Sequence, residues 1–364
     1  MEHEKYILRA IELAENGSGF VSPNPKVGAV IVRNDKIIAE GWHTKFGMPH
    51  AEVEAIKNAG DIDFSDCTIY VNLEPCAHFG KTPPCTDLII EKKFSKVVVG
   101  CTDPNPIVAG KGIEKLRAAG IEVITNICMK ESEWCNRVFI KNITTQKPYI
   151  ILKIGQTLDG CIALKNGQSK WITSEESRLR THKLRSGLDA VLVGKNTVIK
   201  DNPLLTVRSV SGRNPMRVIC DSNLSLPLDL SVFKLEDNAM TIICCSEEAS
   251  KSRKARNLGL SGIKILTVKT GEDGRLELSN AVESLKKSFG ISSILVEGGS
   301  ILFSSFIKQH LADELQIFIA PKIFGNCKNS FEFIDLKSIS DAYEFELISF
   351  DQSGGDIHAI YTKK

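Results

Sequence analysis

The sequence predicts an α/β protein of two domains, and three observations carry that prediction. Short apolar runs alternate with stretches of helical spacing along most of the chain. The length, 364 residues, suits two domains of roughly 100–200 residues each. The alternation breaks at 141–148, "KNITTQKP", a polar stretch that ends in proline. The expected domains are therefore 1–145 and 146–364.

In the first domain, "MEHEKYILRAIELAENG" has the spacing of an amphipathic helix with acidic residues early. "VGAVIV" (27–32), the turn "RNDK" and "IIAEGWH" form a hairpin pattern. "HAEVEAIKNAG" (50–60) has helical spacing and stops at a glycine. "CTIYVNL" (67–73) reads as a buried strand, and "PPCTDLIIEKKF" as a helix opened by prolines and closed by lysines. "KVVVG" (96–100), "GKGIEKLRAAG" and "IEVIT" add a strand, a helix and a strand.

The second domain repeats the logic with "YIILKIG" (149–155), "DAVLVG" (189–194), "MRVIC" (216–220), "MTIICC" (240–245), "GIKILTV" (262–268) and "SSILVEGG" (292–299) as buried strands. Helical spacing covers 174–186 and 277–289. The tail, "LQIFIAPKIFG", "YEFELISF" and "DIHAIYTK", reads as antiparallel edge strands.

Composition narrows the function class. Hydrophobic residues make up 42% and charged residues 25%, ordinary for a globular protein with proper cores. A net charge of +2 offers no wide basic surface to a phosphate backbone, so nucleic acid is not the expected partner. No apolar run approaches about 20 residues, so no membrane span is expected. The acidic start lacks the basic and apolar regions of a signal peptide. The protein is expected in the cytoplasm, with most of its eleven cysteines reduced.

The chemistry concentrates in "LEPCAHFGKTPPC" (73–85), where Cys76 and Cys85 each follow a proline. "PHAEVEAI" supplies His50 at a helix start and Glu52 two positions on. H-x-E followed by P-C and a second cysteine is the signature of zinc nucleobase deaminases, with the glutamate outside the metal shell. Here the cysteines are spaced P-C-x₈-C, a departure from the usual x₂. Two thiolates cancel the charge of Zn²⁺, a neutral imidazole fills a third corner, and the fourth stays open to water, which becomes acidic near neutral pH. Glu52 then serves as general base and afterwards as general acid. Prolines fix the backbone before each thiolate, and the helix start at Cys85 favours S⁻. Two bland readings compete: a disulfide between Cys76 and Cys85, and a structural zinc closed by His78 as fourth ligand.

The flanking residues extend this match. "SPNPKVGAVIV", "GWHTKFGMPHAE", "LEPCAHFGKTPPC" and "DPNPIVAGKG" resemble, nearly letter for letter, the deaminase half of the bifunctional riboflavin-biosynthesis proteins. "KIGQTLDG", "SKWITS", "DNPLLTVR", "VEGG" and "APKIFG" continue the resemblance into the reductase half, so it covers almost the whole chain. It implies an N-terminal cytidine-deaminase-like α/β/α domain and a C-terminal dihydrofolate-reductase-like α/β domain. It further implies one Zn²⁺ per chain, NADPH, a small phosphorylated pyrimidine as substrate, and a homo-oligomer.

Residue by residue, the resemblance places Asn24, His43, His78, Lys81 and Thr82 in the deaminase pocket. Lys81 suits a phosphate and Asn24 a ring's hydrogen-bonding edge. Taken alone, Asn24 is equally a turn residue, and His43 and His78 are equally polar packing. In the second half Gly155, Trp171, Thr197, Asp201, Ser222 and the loop Gly299, Ser300, Ile301, Leu302 and Phe303 would hold NADPH. Ser169, Arg185, Leu205, Arg208 and Glu297 would hold substrate, the two arginines as phosphate clamps. Lys153, placed at a strand end, would polarise or position the sugar, with an ion pair to Asp201 as the alternative. Taken alone, each arginine reads as a surface ion-pair residue and Trp171 as core. Without the resemblance, the second domain offers only "LVEGGSILF", a strand running into two glycines and a helix, the geometry of a phosphate loop. It has no G-x-G-x-x-G.

The expected function is thus zinc-dependent deamination of a diaminopyrimidine ribotide, then NADPH-dependent reduction of its ribosyl group to ribityl. One alternative is a deaminase whose C-terminal half only binds a ligand or assembles the oligomer. Another is a nucleic-acid-binding module with a structural zinc, against which stand the near-neutral charge and 7% aromatic content.

Overall fold

The structure, a computed structural model, describes residues 2–79, 83–105, 108–234 and 239–364. The chain divides into two compact units, Met1–Gln146 and Lys147–Lys364.

The first unit runs α1 (Glu4–Glu15), β1 (Gly28–Arg33), β2 (Lys36–Trp42), α2 (Ala51–Ala59), β3 (Thr68–Leu73), α3 (Cys85–Glu91), β4 (Lys96–Cys101), α4 (Lys111–Ala118), β5 (Glu122–Ile124), α5 (Met129–Cys135) and α6 (Arg137–Thr145). Its five strands lie in the order β2-β1-β3-β4-β5. β1 is antiparallel to β2 and β3, while β3, β4 and β5 are parallel. The period of two along each strand divides the core. Ala29, Ile31, Ile69, Val71, Val97 and Val99 pack with α2, α3 and α4 residues such as Ala55, Ile89 and Leu116. Val30, Val32, Tyr70 and Val98 face α1 through Tyr6, Ile7, Ala10 and Leu13. The hairpin turn holds Asn34 and Asp35 at φ 49° and 57°, a left-handed conformation those two residue types tolerate. Gly60 ends α2 at φ 77°.

The expected break at 141–148 starts too early. α6 continues through Thr145, because Thr144 and Thr145 turn their hydroxyls onto the carbonyls of Ile140 and Lys141 instead of leaving the helix. The chain turns at Gln146, at φ 57°.

The second unit runs β6 (Tyr149–Thr157), β7 (Cys161–Leu164), α7 (Glu175–Gly187), β8 (Ala190–Gly194), α8 (Lys195–Asp201), β9 (Met216–Cys220), β10 (Thr241–Cys245), α9 (Glu247–Ser250), α10 (Arg253–Leu260), β11 (Lys264–Thr267), α11 (Leu278–Phe289), β12 (Ser293–Val296), α12 (Ser300–Lys308), β13 (Glu314–Ala320), β14 (Cys327–Asn329), β15 (Phe345–Ser353) and β16 (Asp356–Lys363). Nine strands form one sheet in the order β11-β10-β9-β8-β12-β6-β13-β16-β15. The strands from β11 to β13 are parallel, and β16 and β15 follow antiparallel. Chain order moves outward from β8 to β11, then returns to insert β12 between β8 and β6. Such a reversal opens a crevice at the carboxyl ends of the strands around it.

Three expectations are corrected here. β13 is not an edge strand: it pairs in parallel with β6 and antiparallel with β16, so it lies inside the sheet. β11 is half exposed, because it is itself an edge. Lys153 sits in the middle of β6 and not at a strand end. Nine cysteines are free, while Cys161 and Cys327 are joined and tie β7 to β14.

Candidate active sites

In the first unit, the carboxyl end of β3 and the starts of α2 and α3 converge. His50 is the N-cap of α2, and Glu52 lies in that helix's first turn. Cys76 follows β3, and Cys85 is the first residue of α3. The Nδ1 atom of His50 lies 3.3 Å from the Cys85 sulfur and 3.6 Å from the Cys76 sulfur. A tetrahedral zinc with bonds of about 2.05 Å to nitrogen and about 2.3 Å to sulfur separates such a pair by about 3.6 Å. The donor set and its spacing therefore fit that ion. Among the described residues the cluster has three protein donors, and His78 is not one of them. Cys76 and Cys85 are free thiols and not a disulfide.

Charge is shared within the cluster. A hydrogen bond from Cys85 lowers the Cys76 thiol below its ordinary value. The Cys76 sulfur also accepts the Cys85 backbone N–H at 3.3 Å. The same bond pushes Cys85 up, and the hydrogen bond to Cys76 raises His50. Glu52 is 3% exposed, and burial pushes its carboxyl up, against the opposing charge of His50. A buried carboxyl poised to hold a proton beside a three-donor cluster can serve as general acid and base.

His43 and Asn24 complete the inner wall. His43 stands edge-on to His50, with ring centroids 5.5 Å apart. Its Nδ1 bonds the Pro49 carbonyl at 3.0 Å and its Nε2 lies 3.2 Å from the Asn24 amide nitrogen. With Nδ1 donating, Nε2 accepts, and the ring is neutral; burial lowers its pKa in keeping with that. Both ring nitrogens are used, so His43 orients Asn24. His78 is exposed, and its charge acts on Asp103. Lys81 and Thr82 lie outside the described residues.

In the second unit, a cleft of about 1230 Å³ occupies the crevice at the strand reversal. Lys153, Gly155, Ser169, Trp171, Arg185, Thr197, Asp201, Arg208, Ser222, Glu297 and the loop from Gly299 to Phe303 all line it. Leu205 does not: its side chain packs with Val191, Val193 and Ile219. The cleft exceeds the usual few hundred to about 1,000 Å³ of a single small-ligand site. Gly194 and Gly299, at the tips of β8 and β12, face open space where a side chain would stand. α12 starts at Ser300, and Ser300 to Phe303 line the cleft, so a helix N-terminus, an element suited to anions, lies at its wall. These features fit a dinucleotide.

Lys153 is half-buried in the cleft wall, and desolvation there lowers its pKa, partly opposed by Glu297. Its ammonium lies 5.3 Å above the Phe318 ring. A side chain at Gly155 would come within 3.4 Å of that nitrogen. The alternative ion pair from Lys153 to Asp201 is not formed; Glu297, Arg185 and Asp356 supply the charges acting on it. Arg185 grips Glu297 with both ends of its fork, at 2.5 and 2.7 Å, and bonds the Thr206 carbonyl at 3.1 Å. It is therefore no surface residue. Arg208 is exposed and makes no hydrogen bond or ion pair among the described residues. Trp171 is 67% exposed and not core, and the Arg178 guanidinium stacks 4.6 Å from its ring. Arg178 and Gly194 were not singled out from sequence. "VLVG" before "KNT" carried the same strand-glycine-helix signal as "VEGG".

Comparison with known proteins agrees with both halves. The family model for the cytidine and deoxycytidylate deaminase zinc-binding region matches residues 1–101, and that for the RibD C-terminal domain matches residues 148–359. The chain is 43% identical to the riboflavin biosynthesis protein RibD of Aquifex aeolicus, over 97% of this chain and 96% of that one. It is 37% identical to RibD of Escherichia coli over 98% of each. A solved structure of Acinetobacter baumannii RibD superposes with a TM-score of 0.87 at 36% identity, covering 100% of this chain and 99% of that one. A diaminohydroxyphosphoribosylaminopyrimidine deaminase/5-amino-6-(5-phosphoribosylamino)uracil reductase from Thermotoga maritima gives 0.87 at 40% identity, with coverage of 100% and 99%. The two units are accordingly a cytidine-deaminase-like domain and a reductase domain of the dihydrofolate-reductase type. The reading of a deaminase with a non-enzymatic C-terminal half is set aside, as is that of a nucleic-acid module. The chain belongs to the RibD family of bifunctional riboflavin-biosynthesis enzymes, deaminase and reductase in one polypeptide.

Proposed function

We propose that residues 1–145 hydrolyse the ring amine of 2,5-diamino-6-ribosylamino-4(3H)-pyrimidinone 5′-phosphate, and that residues 146–364 then reduce its ribosyl group to ribityl with NADPH. The observation that carries the first step is the His50–Cys76–Cys85 cluster with buried Glu52 beside it. Those three side chains would hold Zn²⁺, one per chain. A zinc ion there would acidify water to near neutrality and so supply the nucleophile. Glu52 takes a proton from the attacking water and delivers it to the departing amine. Asn24, held by His43, hydrogen-bonds the ring edge, and His78, Lys81 and Thr82 complete the pocket, with Lys81 on the phosphate.

In the reductase unit, Gly155, Trp171, Thr197, Asp201, Ser222 and residues 299–303 would hold NADPH, which would supply the hydride. Ser169, Arg208 and the Arg185–Glu297 pair orient the ribotide. Lys153 polarises the C1 carbonyl of the open sugar from the cleft wall. Leu205 contributes from behind the cleft wall, by packing. The exposed edge strand β15, with Leu347, Ile348 and Phe350, supports a homo-oligomer. Nine free thiols among eleven cysteines support a cytoplasmic setting. Among the described residues no helix is long and apolar enough to cross a membrane.

The test combines metal analysis with two separate assays: ammonia release from the diaminopyrimidine ribotide, and NADPH oxidation by the deaminated ribotide. One zinc per chain and both activities are expected, with a chelator abolishing the first alone. Deamination by metal-free protein would overturn the zinc reading, and absence of NADPH oxidation would overturn the second step.

A further inference from the structure

The residue just before the Pro75–Cys76 turn, Glu74, is 4% exposed and takes no part in the chemistry described above. Its carboxylate accepts four backbone N–H groups. Oε2 takes Asp103 at 3.1 Å and Gly110 at 3.0 Å; Oε1 takes Gly112 at 2.8 Å and Ile113 at 3.2 Å. Four charge-assisted bonds nearly exhaust the acceptor capacity of a carboxylate. They close the end of β4 and the start of α4 onto one side chain. The contact is tight: a Cβ on Gly112 would lie 2.2 Å from the Pro75 carbonyl oxygen and 3.1 Å from Oε1 of Glu74. From the other side, Thr86 of α3 bonds the Cys76 carbonyl through both its N–H and its hydroxyl, each at 3.2 Å. The turn that carries Cys76 is thus clamped between α3 and α4.

We infer that Glu74 is a positioning residue for deamination: by binding the start of α4 and the end of β4 it fixes where the Cys76 sulfur meets His50 and Cys85. The inference rests on reading that cluster as the zinc site. Thr86 alone leaves the turn free to pivot about the Cys76 carbonyl, whereas the Glu74 bonds remove that freedom. Glutamine has the same reach but only one acceptor oxygen. Its NH₂ would face two backbone N–H groups, so the clamp opens without loss of volume.

The experiment compares the full-length wild type with Glu74→Gln by zinc content after dialysis against a chelator, and by the visible spectrum with Co²⁺ in place of zinc. Ammonia release and NADPH oxidation are measured on the same samples. We expect retained metal or deamination to fall roughly 10- to 100-fold. The thiolate-to-cobalt charge-transfer band should weaken or shift, while NADPH oxidation is unchanged. A wild type that binds no metal would sink the zinc reading itself. A metal-binding wild type matched by Glu74→Gln in spectrum and deamination would sink only the role of Glu74. If Glu74→Gln does not fold, Gly112→Ala disturbs the same contact with the carboxylate kept. A folded Gly112→Ala with the wild-type cobalt spectrum overturns the proposal, and an altered spectrum supports it. Failure of both variants to fold assigns Glu74 to stability alone and also overturns it.

Discussion

Replacing Glu52 with glutamine separates chemistry from structure in the deaminase unit. The two side chains have nearly the same shape, so no cavity opens at a residue that is 3% exposed. Burial already favours the neutral carboxyl here, and the amide imitates that form. Stability should therefore change by no more than about 1 kcal/mol. What is lost is the ability to accept and return a proton, a contribution of about 10²–10⁴ in rate. At about 1.4 kcal/mol per decade this is about 3–5 kcal/mol of barrier. The assay is ammonia release at saturating ribotide, with zinc content and NADPH oxidation measured in parallel. Zinc should stay bound and reduction should be untouched. A Glu52→Gln protein that keeps zinc and more than a tenth of wild-type deamination would refute the role assigned to this carboxyl. A loss of zinc with the activity would point to a structural part instead.

Three further outcomes concern the reductase unit. Lys153→Met removes a cation that burial already disfavours, so the unfolding midpoint should hold or rise; NADPH oxidation should fall by about 100-fold or more. Normal reduction from this variant would exclude Lys153 from the chemistry. Glu297 and Arg185 are 16% and 11% exposed, and removing one partner with Glu297→Ala should cost about 3 kcal/mol in urea unfolding. Burial raises the Glu297 carboxyl, but the charge and hydrogen bonds of Arg185 outweigh it and leave it below 4.5. Its folded-state pKa is depressed, so its stabilisation is complete above pH 4.5 and fades as pH falls through the native value. Glu297→Gln should lack that part of the acid limb, and an unchanged limb would contradict the pairing. Arg208→Met should raise the KM for the ribotide roughly tenfold while sparing that for NADPH, since an exposed guanidinium with no partner in the described chain is available to a phosphate. An unchanged KM would move the phosphate elsewhere.

The deaminase half was legible because its signals are local. Each strand is a short apolar run, the hairpin turn is an Asn-Asp pair, and α2 stops at a glycine. The metal donors come from two short motifs at helix and strand ends, so naming the motifs nearly names the geometry. What was missed there lacks local signals. α5 is entered from Cys128 in a left-handed conformation with no side-chain cap, and α6 ends in threonines that usually mark a loop. Glu74 went unread because its partners are backbone N–H groups about 30–40 positions away, which no motif records.

The reductase half shows where residue-by-residue reading stops. Its cleft draws on β6, α7, the ends of β8 and β9 and the start of α12, joined only by the strand reversal. No spacing in the sequence announces that convergence, and the resemblance had to supply it. Even then a residue's type does not give its state. Arg185 and Glu297 read as two separate substrate contacts, yet each holds the other. Three of the five N–H donors of Arg185 go to Glu297 and the Thr206 carbonyl. What Arg185 can offer a ligand is a neutralised, rigid fork with two donors left. Arg208 is among the free charges that line the cleft, and its exposed position in a loop gave no reason to prefer it. The pairing also accounts for the state of the Lys153 ammonium. With Glu297 already committed to Arg185, no carboxylate forms a direct ion pair with it among the described residues, and burial keeps the upper hand. A lysine in that condition gives up its proton more readily than one on the surface, and it costs little to reorganise when a carbonyl oxygen arrives to accept its N–H.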